Sequence, residues 1–318
     1  MSKRERERKR RKLFRALKTS AVCLSALAVA LLFLILPFRT MLPATRIAAR
    51  EEGELRVHFL SVGQGDCTIV EFPDGEALVV DAGDGSFSAN NAVVSYLNGL
   101  DVERLSLLIT HADIDHYGGA REILRNFRIH TVYLPVIGLD SSDYAAMQRA
   151  VLRENCPIAK LTRYDTIVNS SGAYVVCVSP HAAGEDDVND ASTVLFVSYE
   201  GVNVLLTADI SKTRERQLLR ELELSGSIFD SGDFRVRLDE TDVLKVSHHG
   251  SADSSSTEWL TYLSAETAII SCGAGNNYKH PAQETLNSLT SAGTHIYRTD
   301  ELGHIILSVR DGRYEFTY

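Results

Sequence analysis

The chain has 318 residues and a formal net charge of −9. Of its 33 basic and 42 acidic residues, eleven Lys and Arg and two Glu fall within residues 1–40, which leaves 22 basic against 40 acidic residues, −18, in the remainder. So acidic a body excludes the basic footprint of an ordinary nucleic-acid-binding domain, although bound metal ions would supply local positive charge for a polyanionic substrate. Length alone allows one large α/β domain or about two smaller ones.

Residues 1–19 are crowded with charge and read as a basic cytoplasmic tail. Residues 20–38 are almost purely apolar, the length of a helix that spans a bilayer. Lys and Arg on the N-terminal side predict a cytoplasmic N-terminus, with everything after the span outside the cell. No small-x-small cleavage site stands between Pro37 and Glu51, so an uncleaved anchor is expected rather than a signal peptide. Residues 39–54 read as a linker, and 55–318 as the folded domain. Cys23 falls in the span. Cys67, Cys156, Cys177 and Cys272 are scattered, with no C-x-x-C pair and no small disulfide framework.

Strand patterns open the domain at Arg56 to Leu60, Thr68 to Phe72 and Ala77 to Val80, with Pro73-Asp74-Gly75 as a turn between the last two. A helix is expected over Asn91 to Leu100, a strand over Leu105 to Ile109, a helix over Arg121 to Phe127 and a strand over Thr131 to Leu134. A helix over Ser142 to Glu154 would be capped by Ser142 or Asp143. Strands follow at Ala173 to Ser179, Thr193 to Tyr199 and Asn203 to Thr207. Lys212 to Leu224 is a charged amphipathic helix with Leu218, Leu219 and Leu222 on one side. Ser225 to Asp239 is rich in Gly, Ser and Asp and reads as a loop. Val243 to Val246, Thr267 to Ile270, His295 to Arg298 and His304 to Val309 are expected strands, and Thr257 to Leu263 and Ala282 to Ala292 expected helices. The order predicts a four-layer αββα sandwich, two sheets face to face with helices outside.

The densest chemistry is Thr110-His111-Ala112-Asp113-Ile114-Asp115-His116-Tyr117-Gly118-Gly119, directly after an apolar strand. Two imidazoles and two carboxylates within six positions would repel or strand one another without a cation. Alternate side chains at a strand exit can face two points, His111 and Asp113 one, Asp115 and His116 the other. Adjacent sites of mixed nitrogen and oxygen donors suit two divalent ions, zinc or manganese, and such a pair can clamp an in-line displacement. Asp209 ends the apolar strand Asn203 to Thr207. It is either the N-cap of the next helix or the anionic bridge that two cations would need, and the bridge is favoured. His249 repeats the pattern of strand, imidazole and glycine, with His248 as its partner or alternate.

His280, in a Gly- and Asn-rich loop, is expected either to protonate a leaving group or to hold a phosphate, or else to be plain surface. Asp81, at a strand end, is expected to hydrogen-bond the metal loop from behind. Asp66, in Gly63-Gln64-Gly65-Asp66, approaches the rim of the site. A further ligand is looked for at His181 or Asn189. His58, His130, His295 and His304 read as structural. The chain has no G-x-S-x-G elbow and no phosphate-binding G-x-x-x-x-G-K-[ST] loop.

Val62-Gly63-Gln64-Gly65-Asp66, Val80-Asp81-Ala82-Gly83, the loop His111 to Gly119, Leu205 to Asp209, His248-His249-Gly250-Ser251 and His280-Pro281 together resemble a metallo-β-lactamase-fold protein. More narrowly, they resemble the extracellular metallo-β-lactamase domain of ComEC-type competence DNA-uptake channels and their stand-alone relatives. The resemblance covers about residues 55–310. It implies His111, Asp113, Asp115, His116, Asp209 and His249 as metal ligands, Asp209 bridging, at one edge of an αββα sandwich. The wider superfamily usually has His where Asp113 stands, and the competence-type subgroup has Asp. Ser61 and Ala208 depart from the family's usual Asp and Gly. The channel proteins carry many membrane spans and this chain has one candidate.

The expected function is a membrane-anchored, extracellular, metal-dependent phosphodiesterase or nuclease, with Asp115 and His280 as catalytic groups. Its partners would be a phosphodiester substrate and the membrane. The alternatives are a phosphodiesterase of cell-envelope teichoic acid or phospholipid head groups, or a non-catalytic binding protein on the same fold.

Overall fold

The computed structural model describes Lys18 and residues 45–180, 187–225, 229–231 and 234–318. Contacts group the chain into two units, Met1–Pro43 and Ala44–Tyr318, and the second is the folded domain. The expected span over residues 20–38 lies outside the described residues. Among those, no helix is long and apolar enough to cross a membrane.

The strands are β1 (Leu55–Phe59), β2 (Thr68–Glu71), β3 (Glu76–Val80), β4 (Arg104–Leu108), β5 (Ile129–Tyr133), β6 (Ile158–Ala159), β7 (Thr166–Val168), β8 (Tyr174–Ser179), β9 (Val194–Tyr199), β10 (Val202–Leu206), β11 (Phe229–Ser231), β12 (Phe234–Val236), β13 (Val243–Lys245), β14 (Thr267–Ile270), β15 (His295–Arg298), β16 (Ile305–Arg310) and β17 (Arg313–Thr317). One sheet runs β17-β16-β1-β2-β3-β4-β5-β6 and the other β15-β14-β13-β10-β9-β8-β7. Successive side chains point to opposite faces, so near-continuous apolar strands such as Val194–Tyr199 make each sheet apolar on both faces. Val57, Phe59, Val70, Leu78 and Val80 of the first sheet pack against Val175, Cys177, Leu195, Val197, Val204 and Leu206 of the second. On the outer face of the first sheet, Ile69, Val79 and Leu107 meet the helices Phe87–Gly99, Ala120–Asn126 and Ser142–Arg153 through Val93, Tyr96, Ile123, Leu124 and Met147. On the outer face of the second, Val176, Phe196, Leu205, Leu244 and Ile270 meet Lys212–Ser225, Thr257–Leu263 and Gln283–Ser291 through Leu218, Leu222, Trp259, Leu260 and Leu289. The expected four layers are therefore present.

Three local readings are corrected. The segment from Ser225 to Asp239 is not all loop: β11 and β12 form a small antiparallel hairpin within it, followed by a 3₁₀ turn over Leu238–Glu240. Buried Val236 and Leu238 anchor this segment to the outer core of the second sheet, an attachment its polar composition hides. The helix Ser142–Arg153 is capped by Ser141, whose Oγ accepts from the Tyr144 N–H at 3.1 Å, one residue earlier than expected. A final strand, β17, pairs with β16 at the sheet edge, where half-exposed residues weaken the alternation signal. Cys67, Cys177 and Cys272 are buried free thiols and Cys156 is a half-buried one.

His58 is structural as expected, but it has an acidic neighbour across the ladder. Its Nε2 donates to Glu71 Oε2 at 3.1 Å, and Nδ1 accepts from the Tyr96 hydroxyl at 3.0 Å. Burial lowers its pKa despite the Glu71 charge. The unfolded chain then takes up a proton near pH 6.5 that the folded one refuses, so stability is present above that pH and declines as pH falls below it. One such group contributes at most about 1.4 kcal/mol per pH unit. Urea midpoints are expected to drop between pH 7.5 and 5.5, and His58→Gln should flatten that slope. A slope unchanged by the substitution would place the effect elsewhere, half-buried His304 being a histidine near it whose pKa burial also lowers.

Candidate metal centre

Parallel strands put their carboxyl ends at one edge, where the ligand-bearing loops of open α/β sheets gather. β3, β4 and β5 are parallel in one sheet, and β10, β13, β14 and β15 in the other. The loops that leave β3, β4, β10 and β13 carry Asp81, His111 to His116, Asp209 and His248-His249.

These loops are stitched together backbone to backbone. Ala82 N donates to His116 O at 2.7 Å, Gly83 N to Asp66 O at 2.8 Å, and Asp66 N to Asp115 O at 3.1 Å. Such close approach needs glycine: a Cβ on Gly65 would lie 2.6 Å from Asp115 O, and one on Gly119 would run into the Ala82 carbonyl. Asp81, Ala208, His248 and His249 all take left-handed backbone, φ 45 to 63°, at these strand exits. Four non-glycine residues there is a concentration of strain of the kind found at functional sites.

Each imidazole is oriented from behind. His116 Nδ1 donates to Asp81 Oδ2 at 2.8 Å, His249 Nδ1 to Ser271 O at 3.0 Å, and His111 Nδ1 to Thr110 Oγ1 at 3.0 Å. Thr110 in turn donates its hydroxyl to Asp81 Oδ2 at 2.7 Å and its N–H to Oδ1 at 2.8 Å. Asp81 therefore stands behind the loop as expected. With Nδ1 committed, each Nε2 is left as the free atom, and the Nε2 atoms of His111, His116 and His249 are buried without a hydrogen-bond partner, as is Asp209 Oδ1. Orphaned buried polar atoms are rare and call for an explanation. Here they converge. The ligand atoms of His111, His116 and Asp209 lie within 4.8 Å of one another, and so do those of Asp115, His116 and His249. Asp209 Oδ2 is 3.3 Å from His116 Nε2 and 3.7 Å from His249 Nε2, while Asp115 Oδ2 is 3.3 Å from His249 Nε2.

Electrostatics follow the crowding. Burial opposes charge on His116, but Asp209 and Asp81 outweigh it and hold its pKa well above the usual value. Burial, reinforced by His116, drives His111 down to about 3. Burial would raise Asp209, yet His116 and His249 keep it well below the ordinary carboxylate range. Three imidazole nitrogens and two carboxylates at this spacing fit divalent metal ions.

The remaining expected residues fall at different depths. Asp113, with its side chain 42% exposed, sits at the rim 3.9 Å from His111 Nε2. His248 is half-buried, its Nε2 3.8 Å from Asp209. His280 is half-buried and stacks on His249 with ring centroids 6.3 Å apart, its Nδ1 3.5 Å from Gln64 Nε2. Burial and the nearby His249 and His248 lower its pKa. His181 lies outside the described residues. Asn189 forms a turn by donating its N–H to Asp187 Oδ1. Its neighbour Asp190 accepts from Ser211 N and Oγ at 2.9 and 3.1 Å. Ser211 Oγ accepts from Thr213 N at 3.1 Å and so begins the next helix. Capping is thus done by Ser211, which frees Asp209 to face the imidazoles.

Sequence reasoning missed Lys245. Its Nζ is buried and donates to Asp66 Oδ2 at 2.6 Å, which holds Asp66 3.8 Å from His249 Nδ1. A lysine inside Val243-Leu244-Lys245-Val246 is the signal that marks it. Glu215 was missed too: its carboxylate accepts the Ser255 and Ser256 N–H groups at 2.5 and 2.8 Å, bracing the segment after His249.

The family model of the Metallo-beta-lactamase superfamily matches residues 60–274. ComE operon protein 3 of Bacillus subtilis is 29% identical over 270 residues, 80% of this chain and 33% of that protein. Recombination protein 2 of Haemophilus influenzae is 27% identical over 263 residues, 82% of this chain and 29% of that protein. The chain thus spans about a third of the length of the curated relatives it matches. Among solved structures, CmlA, a diiron β-hydroxylase from Streptomyces venezuelae, is similar in fold, with a TM-score of 0.52 at 15% identity over 82% of this chain and 55% of that one.

Proposed function

The chain belongs to the Metallo-beta-lactamase superfamily, and from that premise we propose that it is a membrane-anchored, outward-facing, metal-dependent hydrolase of phosphodiesters. The observation that carries this reading is the set of three buried Nε2 atoms, unpartnered beside Asp209 and Asp115 while every Nδ1 is committed behind. Asp115, His116 and His249 would hold one ion, and His111, with Asp113 at the rim, a second, Asp209 lying between them. Divalent ions there, zinc or manganese, would supply Lewis-acid charge to a phosphoryl oxygen and lower the pKa of a water.

The chain's own side chains supply the rest. Asp115, part-exposed beside His249, would orient the attacking water, and it keeps its charge because His249 and His116 outweigh the cost of burial. His280, with Nδ1 toward Gln64, would present Nε2 to the leaving oxygen. The closed packing behind the imidazoles keeps bulk water off that side. Choice of a phosphodiester rests on the relative named Recombination protein 2, since recombination is a process of nucleic acid. The anchor and the outward orientation rest on the apolar run Ser20 to Phe38 and the basic residues before it.

Elemental analysis of the purified full chain is expected to find divalent metal. Chelation should abolish cleavage of single-stranded oligonucleotides and of a model phosphodiester, and zinc or manganese should restore it. Protein carrying both ions that cleaves neither would sink this reading. Cleavage of glycerol-phosphate polymers or phospholipid head groups alone would keep the chemistry and move the substrate to the cell envelope.

A further inference from the structure

The loop from Gly273 to Pro281 is stiff. Gly273 N donates to Gln64 Oε1 at 3.2 Å, and Asn276 Nδ2 donates to Gly273 O at 2.9 Å and His280 O at 2.5 Å. His280 N returns a bond to Asn276 Oδ1 at 3.0 Å. This loop displays Tyr278 with 71% of its surface in solvent. The Tyr278 ring lies 5.8 Å from that of His280 at 28°, and His280 lies 6.3 Å from His249 at 25°. The rings thus run from buried His249 through half-buried His280 to exposed Tyr278, and His249 Nε2 faces Asp115 and Asp209.

The geometry points to Tyr278 as a substrate-positioning residue that stacks a nucleobase next to the scissile phosphodiester, which makes the substrate single-stranded nucleic acid. The inference rests on the phosphodiesterase reading and narrows its substrate class. An exposed aromatic face held rigidly beside a phosphate site matches the flat face that every base carries. Polyol phosphates and phospholipid head groups have no such face. In a duplex the base faces are covered by their neighbours, so the strand must be open to use the ring. Lys279, exposed next to Tyr278, adds positive charge to the rim of a body that is otherwise acidic and would repel a strand's phosphates.

The test uses the full chain loaded with manganese, a fluorescent oligothymidine, and an abasic tetrahydrofuran strand of equal length. Anisotropy gives Kd, and cleavage gives KM and kcat. Tyr278→Ala is expected to raise Kd and KM for oligothymidine about 5- to 150-fold, the range of one lost base stack, with kcat unchanged. Tyr278→Trp should restore both, and binding of the abasic strand should not respond to either substitution. Equal losses on both strands, or no loss on either, would overturn the platform. A wild type that cleaves the abasic strand as well as oligothymidine also overturns it while leaving the phosphodiesterase reading intact. A wild type that cleaves neither strand nor a model phosphodiester, yet binds oligothymidine through Tyr278, ends the phosphodiesterase reading and leaves the platform as a binding site.

Discussion

Asp209→Asn is expected to reduce bound metal to less than half the wild-type content and to slow phosphodiester cleavage by about a thousandfold, equivalent to about 4 kcal/mol of barrier. The amide keeps the volume of the carboxylate and removes its charge. That charge sits where Oδ2 is 3.3 Å from His116 Nε2 and 3.7 Å from His249 Nε2, with Oδ1 unpartnered and buried. No other carboxylate comes so close to both imidazoles while being almost wholly buried: among the described ligands, Asp115 is part-exposed and Asp113 more so. Without the anion, two cations would face one another across three neutral nitrogens. Folding should suffer less: the amide withdraws one counter-charge from His116 but leaves Asp81 beside it, and a neutral side chain costs less to bury than a charged one, so the metal-free melt should fall modestly and stay cooperative. A variant that keeps its metal and cleaves within tenfold of wild type would remove Asp209 from the bridging position. Loss of activity with collapse of the metal-free melt would instead make it a folding residue.

The sequence carries most of this site because the site is built at strand ends. An apolar run that stops at His111, Asp209 or His248-His249 says both that a strand has ended and that a donor stands at its mouth. The four layers are legible for the same reason, since continuous apolar strands such as Leu205-Leu206 have to be covered on both faces. What stays hidden is what no local pattern encodes. Lys245 and Asp66 are 179 positions apart, and only the meeting of two loops makes them a pair. Glu215 belongs by pattern to a solvated helix face, yet it is buried because the Ser255 and Ser256 amides lie over it. The choice between His248 and His249 turns on left-handed backbone that aims the second inward and leaves the first half-exposed. The Phe229 to Val236 hairpin is attached by one or two apolar side chains in a polar stretch, too few to create a period.

Lys245→Met is expected to cost about 3–5 kcal/mol of folding stability, the usual penalty for leaving one member of a buried ion pair alone. Lys245 is central in the second sheet, with Leu206 of β10 on one side and Ile269 of β14 on the other, and its ammonium is shut from solvent. Asp66 is as deeply buried. Burial would raise its pKa, and Lys245 with His249 holds it below the ordinary value. Methionine fills the stem's volume and removes the cation, so Asp66 must either stay charged without its partner or take up a proton. In the second case its folded pKa rises above the unfolded one, and the stabilisation from protonation is present at acid pH and lost as pH climbs through the new value. The variant's deficit in urea unfolding should therefore be smaller near pH 4 than at pH 7.5. Asp66→Asn added to Lys245→Met should recover a large part of the loss, since two neutral groups need no counter-ion. The site should register the single change too, because Asp66 borders His249, and displaced outer partners typically weaken metal binding 10- to 100-fold. A single variant within 1 kcal/mol of wild type, or a double variant whose loss is the sum of its parts, would show that the pair is not what holds these two loops together.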